Sequence, residues 1–427
     1  MNIISEHEPL TRAGLQSFDP LIQDPDIPDG LLLNPGADEY HRRYFFEWDS
    51  QPVKGEPPCY KASYVIGAQH IGDEELIIKP KMENIDYMKM FSVCLGSSLS
   101  PGAFSRIYGI DLEAEPIRTE SDVFSSITPL IVVHFIMLMT EITSRGLRRD
   151  YISRNENLRK VRGRIDIAIN ERKNVIIKRF DRIYCKYEER SVNTPENRLF
   201  KKALLFCKGF VSKLRGNDAY PDLMNRINVS LSAFESVDDQ IEVWEIRNTK
   251  KSNLYRDYDE AIRLAKTLLR FFDYSIANTA KKSTKTPVFW IDMSLLYEHY
   301  VYGLLYAAYG NQIEYQSSGW FGWKPDFLHK GEKIIMDTKY MPQLEWQGLT
   351  GDIVGQLSGY ARTESFTRKL GVDEETVVPC LILYPTLQAQ EEPFSFDKRK
   401  PLLAQARKAR HLIKFYKYPV PIPALKQ

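Results

Sequence analysis

Pro325-Asp326 is followed, after ten intervening residues, by Asp337-Thr338-Lys339. Two carboxylates are hard oxygen ligands of the kind Mg²⁺ takes, and such a cation neutralises phosphate charge and acidifies a water molecule. A lysine beside them can orient or deprotonate that water and stabilise the charge developing on phosphorus. Residues i and i+2 of a strand face the same way, so Asp337 and Lys339 project together, and a hairpin would bring Asp326 to the same spot. The chemistry this predicts is hydrolysis of a phosphodiester by cation-activated water, with Asp326 and Asp337 as ligands of Mg²⁺ and Mn²⁺ as a substitute.

The neighbouring helices supply three more candidates. Glu298 precedes the two motifs and could reach the cation directly or through water. Gln356 and Tyr360 are spaced i and i+4, so they share one helix face, available to position the lysine or the DNA backbone. Each feature alone is ordinary: a strand-borne Asp-x-Lys is commonly a solvated ion pair, and a Gln/Tyr pair is commonly structural. Their joint order is what points to catalysis. His299 reads as a packing or surface residue, since the seven histidines form no HxxxH or HxH set. Trp320, Phe321 and Trp323 flank the Pro-Asp strand, where hydrophobic core is the ordinary reading and base stacking the alternative.

The elements that must position these groups are legible from hydrophobic period. A helix from Asp292 to about Tyr309 precedes strand-like runs near 312–316, 324–329 and 333–338; a helix from about Asp352 to Thr363 and an apolar strand from Val377 to Tyr384 follow. This is an αβββαβ order. Upstream, Tyr60–Ala68 and Glu75–Lys81 read as a hairpin, and Pro20–Pro58 as irregular chain or short strands. A helix is expected from about Asp122 to Arg145, ending at Gly146, with its apolar run Ile127–Met139 too short to span a bilayer. Val161–Asp166 and Asn174–Phe180 read as β-structure. A helix then opens on Thr194 as N-cap and Pro195 in the first turn and stops at Gly216; another runs from about Tyr258 to Tyr274. The polar stretch Thr279–Thr286 reads as a linker. The fold class expected is multidomain α+β, with an N-terminal β-containing region (1–140), a central mixed helical and β region (141–286) and a C-terminal αβββαβ core (287–427).

With 427 residues, 43% hydrophobic and 27% charged, the chain has the balance of a globular protein of two or three domains. Five scattered cysteines without CxxC spacing, and no basic leader followed by an apolar stretch, point to a reduced cytoplasm with no membrane partner. Net charge is only +2, but residues 1–140 hold 10 Lys+Arg against 21 Asp+Glu, and residues 141–220 hold 21 against 10. A basic segment in a near-neutral chain suggests a polyanion, and Arg162, Arg164, Lys201, Lys202 and Lys208 are the phosphate-contact candidates; a solvated basic face is the alternative.

The order of Glu298, Pro325-Asp326, Asp337-Thr338-Lys339 and Gln356-x-x-x-Tyr360 resembles the PD-(D/E)xK nuclease superfamily, its last helix the RecB-like branch. The wider chain resembles McrC, the nuclease subunit of McrBC modification-dependent restriction systems. The supporting stretches are Ile77-Ile-Lys-Pro-Lys81, Arg145-Gly-Leu147 before Tyr151, Val161-Arg-Gly-Arg-Ile-Asp166, Asn197-Arg198-Leu199, Lys324-Pro-Asp326 and Met336-Asp-Thr-Lys-Tyr340. The resemblance covers most of the chain from about residue 60 onward; residues 1–59 have no counterpart. It implies a DNA endonuclease acting on modified duplex, with Asp326, Asp337 and Lys339 catalytic and Glu298, Gln356 and Tyr360 assisting. It also implies a partner, an McrB-like hexameric AAA+ GTPase engaged through the N-terminal part and stimulated by this chain. No GxxxxGK[ST] loop is present, so this chain is expected to bind no nucleotide itself. A self-sufficient nuclease and a non-catalytic DNA-binding adaptor are the alternatives.

Overall fold

The computed structural model describes residues 2–8, 45–49, 59–71, 74–94, 106–111, 114–119, 124–213, 220–242, 246, 256–278, 284–373, 375–386 and 393–425. Most of the proline-dense stretch, the helix stop at Gly216 and residues 279–283 of the expected linker lie outside them. Contacts divide the chain into two compact units: Met1–Val133 with Asn278–Gln427, and His134–Ala277.

The first unit carries two main sheets. One is built from β1 (Asn2–Ser5), β4 (Val65–Ile71), β5 (Glu74–Lys79), β6 (Tyr108–Asp111) and β12 (Val288–Asp292), in the order β1-β5-β4-β12-β6. The expected hairpin is β4 against β5, antiparallel with Ile71 opposite Glu74, while β2 (Phe46–Asp49) and β3 (Cys59–Ala62) form a separate ribbon. The second sheet runs β13 (Ile313–Tyr315), β14 (Phe327–His329), β15 (Ile334–Thr338), β16 (Cys380–Tyr384), β18 (Phe415–Pro419) and β17 (Arg407–Lys408). The first three strands pair antiparallel, and β15, β16 and β18 run parallel.

The start of the expected C-terminal region belongs to the N-terminal sheet. β12 lies between β4 and β6, pairing antiparallel with both, so the segment just after the expected boundary completes the N-terminal sheet. Within the expected linker, β11 (Thr284–Thr286) pairs with β7 (Ile117–Thr119). Helix Met293–Tyr309 follows β12 directly, capped by Asp292, whose carboxylate accepts from Leu295 N at 2.9 Å. It contacts β4 and β12 of the first sheet and β13 and β15 of the second. Such a helix must be apolar around most of its circumference, and ten of its residues are buried. A Cβ at Gly303 would fall 2.5 Å from the Val93 carbonyl oxygen, so helix Tyr87–Cys94 lies directly on it. A chain truncated before Thr286 therefore loses a central strand of the N-terminal sheet and cannot separate the activities of the two ends.

The second unit contains the end of helix Phe124–Arg145 and helices Pro195–Lys213, Pro221–Ser232 and Arg256–Asn278. It also holds a three-stranded sheet, in which β8 (Asp150–Leu158) and β9 (Arg164–Ile165) both pair antiparallel with β10 (Ile183–Ser191). Among the described residues one helical segment, Ile127–Arg145, is long and apolar enough to cross a membrane, but 72% of it is buried inside the protein. Thr194 Oγ1 accepts from Asn197 N as the expected N-cap. Asn197 is fully buried; its Nδ2 donates to the Arg148 and Val192 carbonyls at 2.9 and 2.7 Å, and its Oδ1 accepts from Tyr258 Oη at 3.1 Å. Asn197→Ala strands two carbonyls and a hydroxyl in the core, so it should lower stability by about 2–3 kcal/mol, measured by denaturant unfolding; an unchanged midpoint would refute this role.

The expected strand Asn174–Phe180 is absent. Asp166 caps helix Ile167–Asn170 by accepting from Ile169 N at 3.1 Å, and a π-helical turn, Glu171–Val175, continues it. Buried Asn174 holds this arrangement: its side chain exchanges hydrogen bonds with Asn157 at 2.8 Å and donates to Asn170 at 2.7 Å. The β-branched run that reads as a strand is instead left in solvent, with Val175, Ile176 and Ile177 all exposed.

Candidate active site

Strand register places the chemistry on one rung. β14 pairs with β15 with Phe327 opposite Met336, so Asp326, one residue further out, faces Asp337. Tyr315 lies opposite Phe327, and Gln316 N donates to the Asp326 carbonyl at 2.8 Å. Gln316, Asp326 and Asp337 thus cross the sheet side by side. Pro325, which has no N–H to offer the ladder, stands just before the strand.

Asp337 is 2% exposed, with its Oδ2 2.5 Å from Lys339 Nζ, as the i, i+2 spacing predicts. Asp326 Oδ2 accepts from Thr338 N at 2.7 Å and from Thr338 Oγ1, locking the loop end of β14 to the strand between the two catalytic candidates. From helix Gly351–Ala361, Gln356 Oε1 accepts from Lys339 Nζ at 3.0 Å, and Gln356 Nε2 donates to the Tyr360 hydroxyl at 2.8 Å. The expected helix pair therefore forms a relay that ends on the lysine. Glu298 accepts from Gln316 Nε2 at 2.8 Å. The sequence reading missed Gln316 and Thr338; neither has a spacing signal, because each acts through the register of the hairpin.

Burial pushes Glu298 up to about 7, with Asp337 and Asp292 adding to the rise. Asp326 is raised well above the usual carboxylate range by burial first and then by Asp337 and Glu298. Burial also raises Asp337, against the opposing pull of Lys339. For Lys339 burial acts downward, but Asp337, with Asp326 and Tyr360 adding to it, shifts the ammonium upward on balance. In that state the lysine donates hydrogen bonds and positive charge.

Among the described residues, no three His, Cys, Asp or Glu side chains form a ready cage for an ion. Mg²⁺ commonly takes one or two carboxylates and completes its shell with water and substrate phosphate oxygens. The Asp326/Asp337 pair fits that mode: the donors are hard oxygens, and Asp337 already raises Asp326 electrostatically.

The stretch Ile77–Lys81 reaches the same strand end. Lys81 Nζ donates to the Tyr340 carbonyl at 2.8 Å and lies 4.1 Å from the centroid of its ring. Lys81 N donates to Glu6 Oε2 at 2.9 Å. Burial raises Glu6 to about 7 and lowers Lys81 to about 8. This pair anchors the residue that follows Lys339.

The phosphate-contact candidates of the basic segment fare differently. Lys201 and Lys202 donate to the Val237 and Ile241 carbonyls at 2.5 and 2.7 Å, stapling one loop to their helix. Arg162 lies 4.1 Å from the Tyr187 ring centroid and 3.4 Å from Glu189. These three have partners within the unit, and Arg162, Arg164 and Lys208 are exposed. Gly163, at φ +68°, is required where it stands, since a Cβ would meet the Lys186 carbonyl at 2.6 Å. Residues 159–182 join β8 to β10 at the Leu158–Ile183 end of their ladder, with β9 returning alongside β10. They hold nine Lys/Arg against three Asp/Glu and expose Val161, Ile165, Ile167, Val175, Ile176, Ile177 and Phe180, with Ile167 and Phe180 each 76% exposed.

A family model described as "McrBC 5-methylcytosine restriction system component" matches residues 61–348. The match includes Glu298, Asp326, Asp337 and Lys339 and stops short of Gln356 and Tyr360. No curated protein matches the chain. One solved structure, a refined half-complex from a tetradecameric assembly of Thermococcus gammatolerans McrB AAA+ hexamers with bound McrC, is similar at 14% identity and a TM-score of 0.37, covering 98% of this chain and 94% of that chain. A cryo-EM structure of the Thermococcus gammatolerans McrBC complex is similar at 13% identity and a TM-score of 0.32, covering 71% and 86%. Likenesses at that level leave the site to be argued from this chain's own geometry.

Proposed function

Because this chain belongs to the family of McrBC 5-methylcytosine restriction system components, we propose that it is the McrC-type, Mg²⁺-dependent DNA endonuclease subunit of a GTP-dependent restriction system. The observation that carries the reading is the linked set Asp326, Asp337, Lys339, Gln356 and Tyr360, built on one hairpin and one helix. Asp326 and Asp337 would hold the cation, with Glu298 behind them on Gln316. Bound there, Mg²⁺ would supply charge to phosphate oxygens and acidify the attacking water. Lys339, kept as an ammonium by Asp337, orients that water and offsets charge on phosphorus. Gln356 fixes where the ammonium points, and Tyr360 fixes Gln356.

The partner would be an McrB-like hexameric AAA+ GTPase, as in the Thermococcus gammatolerans assembly, with modified duplex DNA as the substrate. From the sequence, the partner contact is expected in the acidic residues 1–140, with the basic central region 141–286 as a DNA or partner contact as well. Within the central region the segment 159–182 is the candidate, because it exposes seven large apolar side chains among its basic residues and exposed apolar side chains grouped in this way mark an interaction surface. Ile176→Asp combined with Ile177→Asp alters only exposed side chains, so the protein should fold normally yet lose stimulation of the partner's GTPase by about tenfold or more. A double variant that stimulates like wild type would move the contact elsewhere.

The overall test is cleavage of methylated and unmethylated plasmid with GTP and Mg²⁺, with and without the AAA+ protein. The expected result is cleavage of methylated DNA only when both proteins, GTP and Mg²⁺ are present, and none in excess EDTA. Full cleavage in EDTA would refute the cation mechanism, and full cleavage without the partner would make the chain a self-sufficient nuclease.

A further inference from the structure

Three aromatic side chains beside the site stand in solvent, against the core reading of their sequence. Trp320 is 56%, Phe321 82% and Trp323 41% exposed. We propose that this loop is a base-stacking platform: Phe321 and Trp320 take an unpaired nucleobase of the strand whose phosphate lies at Asp326, Asp337 and Lys339. The DNA at the cleavage step is then locally unpaired. The inference rests on the nuclease reading above and adds the state of its substrate.

Position comes first. Trp323 stands three residues before Asp326, and its ring lies edge-on to Tyr360 at 6.0 Å between centroids. A Cβ at Gly359 would come within 2.8 Å of that ring, so the loop sits directly on the Gln356/Tyr360 helix. From Tyr360 the hydrogen bonds run through Gln356 to Lys339. Stacked nucleotides advance about 3.4 Å each, so a strand with a phosphate at Lys339 carries bases past this loop within a few nucleotides.

The backbone is held for display rather than for burial. Phe321 has φ +62°, a left-handed conformation that a bulky residue seldom adopts, and Gly322 follows at φ +72°. Gly319 N donates to the Trp323 carbonyl at 2.9 Å, and Trp320 N donates to Ser365 Oγ at 3.3 Å. Trp323 packs on Tyr360 and against Phe321, whereas Phe321 keeps most of its own ring in water on a strained, supported backbone. Aromatic faces accept any base by stacking, and exposed Lys324 adds a cation for the backbone beside it.

The test uses the full-length chain in EDTA, with fluorescence anisotropy on a single-stranded oligonucleotide and on an abasic strand of equal length. Wild type should bind the base-bearing strand more tightly. Phe321→Leu and Trp320→Leu, which keep apolar bulk but lose the ring, should weaken that binding about five- to hundredfold and leave the abasic strand unchanged; Phe321→Trp should restore it. Phe321→Gly relieves the left-handed strain, so it should raise Tm while still weakening binding, an outcome that a packing role would not produce. Equal binding of both strands by wild type, or an unweakened Phe321→Leu, would overturn the proposal. So would a Phe321→Leu protein that loses only its association with the AAA+ partner. In cleavage, Phe321→Leu should be rescued by a substrate with a pre-opened bubble, whereas Asp337→Asn should cut neither substrate. Wild-type cutting by Asp337→Asn would refute the nuclease reading and leave the stacking result standing.

Discussion

Asp337→Asn should abolish DNA cleavage, by about 10²–10³-fold or more, in a protein no less stable than wild type. The side chain is almost fully buried, and burial raises its pKa even with the Lys339 ammonium beside it. An uncharged isostere removes the cost of holding a carboxylate there and removes the negative oxygen that a cation needs. Lys339 keeps its hydrogen bond to Gln356, so the local scaffold survives. Asp326→Asn is a less clean probe, because Asp326 also anchors Thr338 through two hydrogen bonds. The measurement is single-turnover cleavage in the presence of the proposed AAA+ partner, alongside thermal unfolding. Wild-type rates from a folded Asp337→Asn protein would remove the hairpin from the mechanism, while loss of activity with loss of fold would show Asp337 to be structural. The variant should still stimulate the partner's GTPase, since its interaction surface is untouched.

Without a divalent cation the protein should lose stability as pH rises from about 4.5 towards 7, and Mg²⁺ should reverse the loss. Glu298 titrates from an ordinary 4.5 when unfolded to about 7 when folded, and Asp326 and Asp337 shift the same way. In that window the folded state binds more protons than the unfolded one, so the contribution of these groups falls with rising pH. A cation binds only the ionised cluster, so its stabilisation must grow with pH. At a hundredfold excess over its Kd it is worth about 2.7 kcal/mol, or a Tm rise of about 3–5 °C in a chain of this size. Thermal unfolding in EDTA and in Mg²⁺ at pH 5.5 and 8 measures both effects, and Glu298→Gln should flatten the pH profile in EDTA. A Tm at pH 8 that ignores Mg²⁺ would mean that the carboxylates hold no cation.

The parts legible in the sequence are those governed by short-range geometry. Strand alternation placed Asp337 and Lys339 together, helical period paired Gln356 with Tyr360, and caps such as Thr194 announced the helix starts, because each depends on residues only a few positions apart. The αβββαβ order followed from the same periods. Tertiary structure decided what those periods leave open. Whether Val288–Asp292 joins the sheet that follows it or the one that precedes it depends on which edge it meets, and it meets β4 and β6. Lys201 and Lys202 looked like a free basic face until their helix met the loop whose carbonyls they hold. Gln316 joined the site only because two hairpin registers aligned it with Asp326. Apolar composition argued for burying Ile176, Ile177, Trp320 and Phe321, yet all four are exposed. A residue's type sets what burial would gain, but only the packing of distant segments sets whether a partner surface is there to bury it.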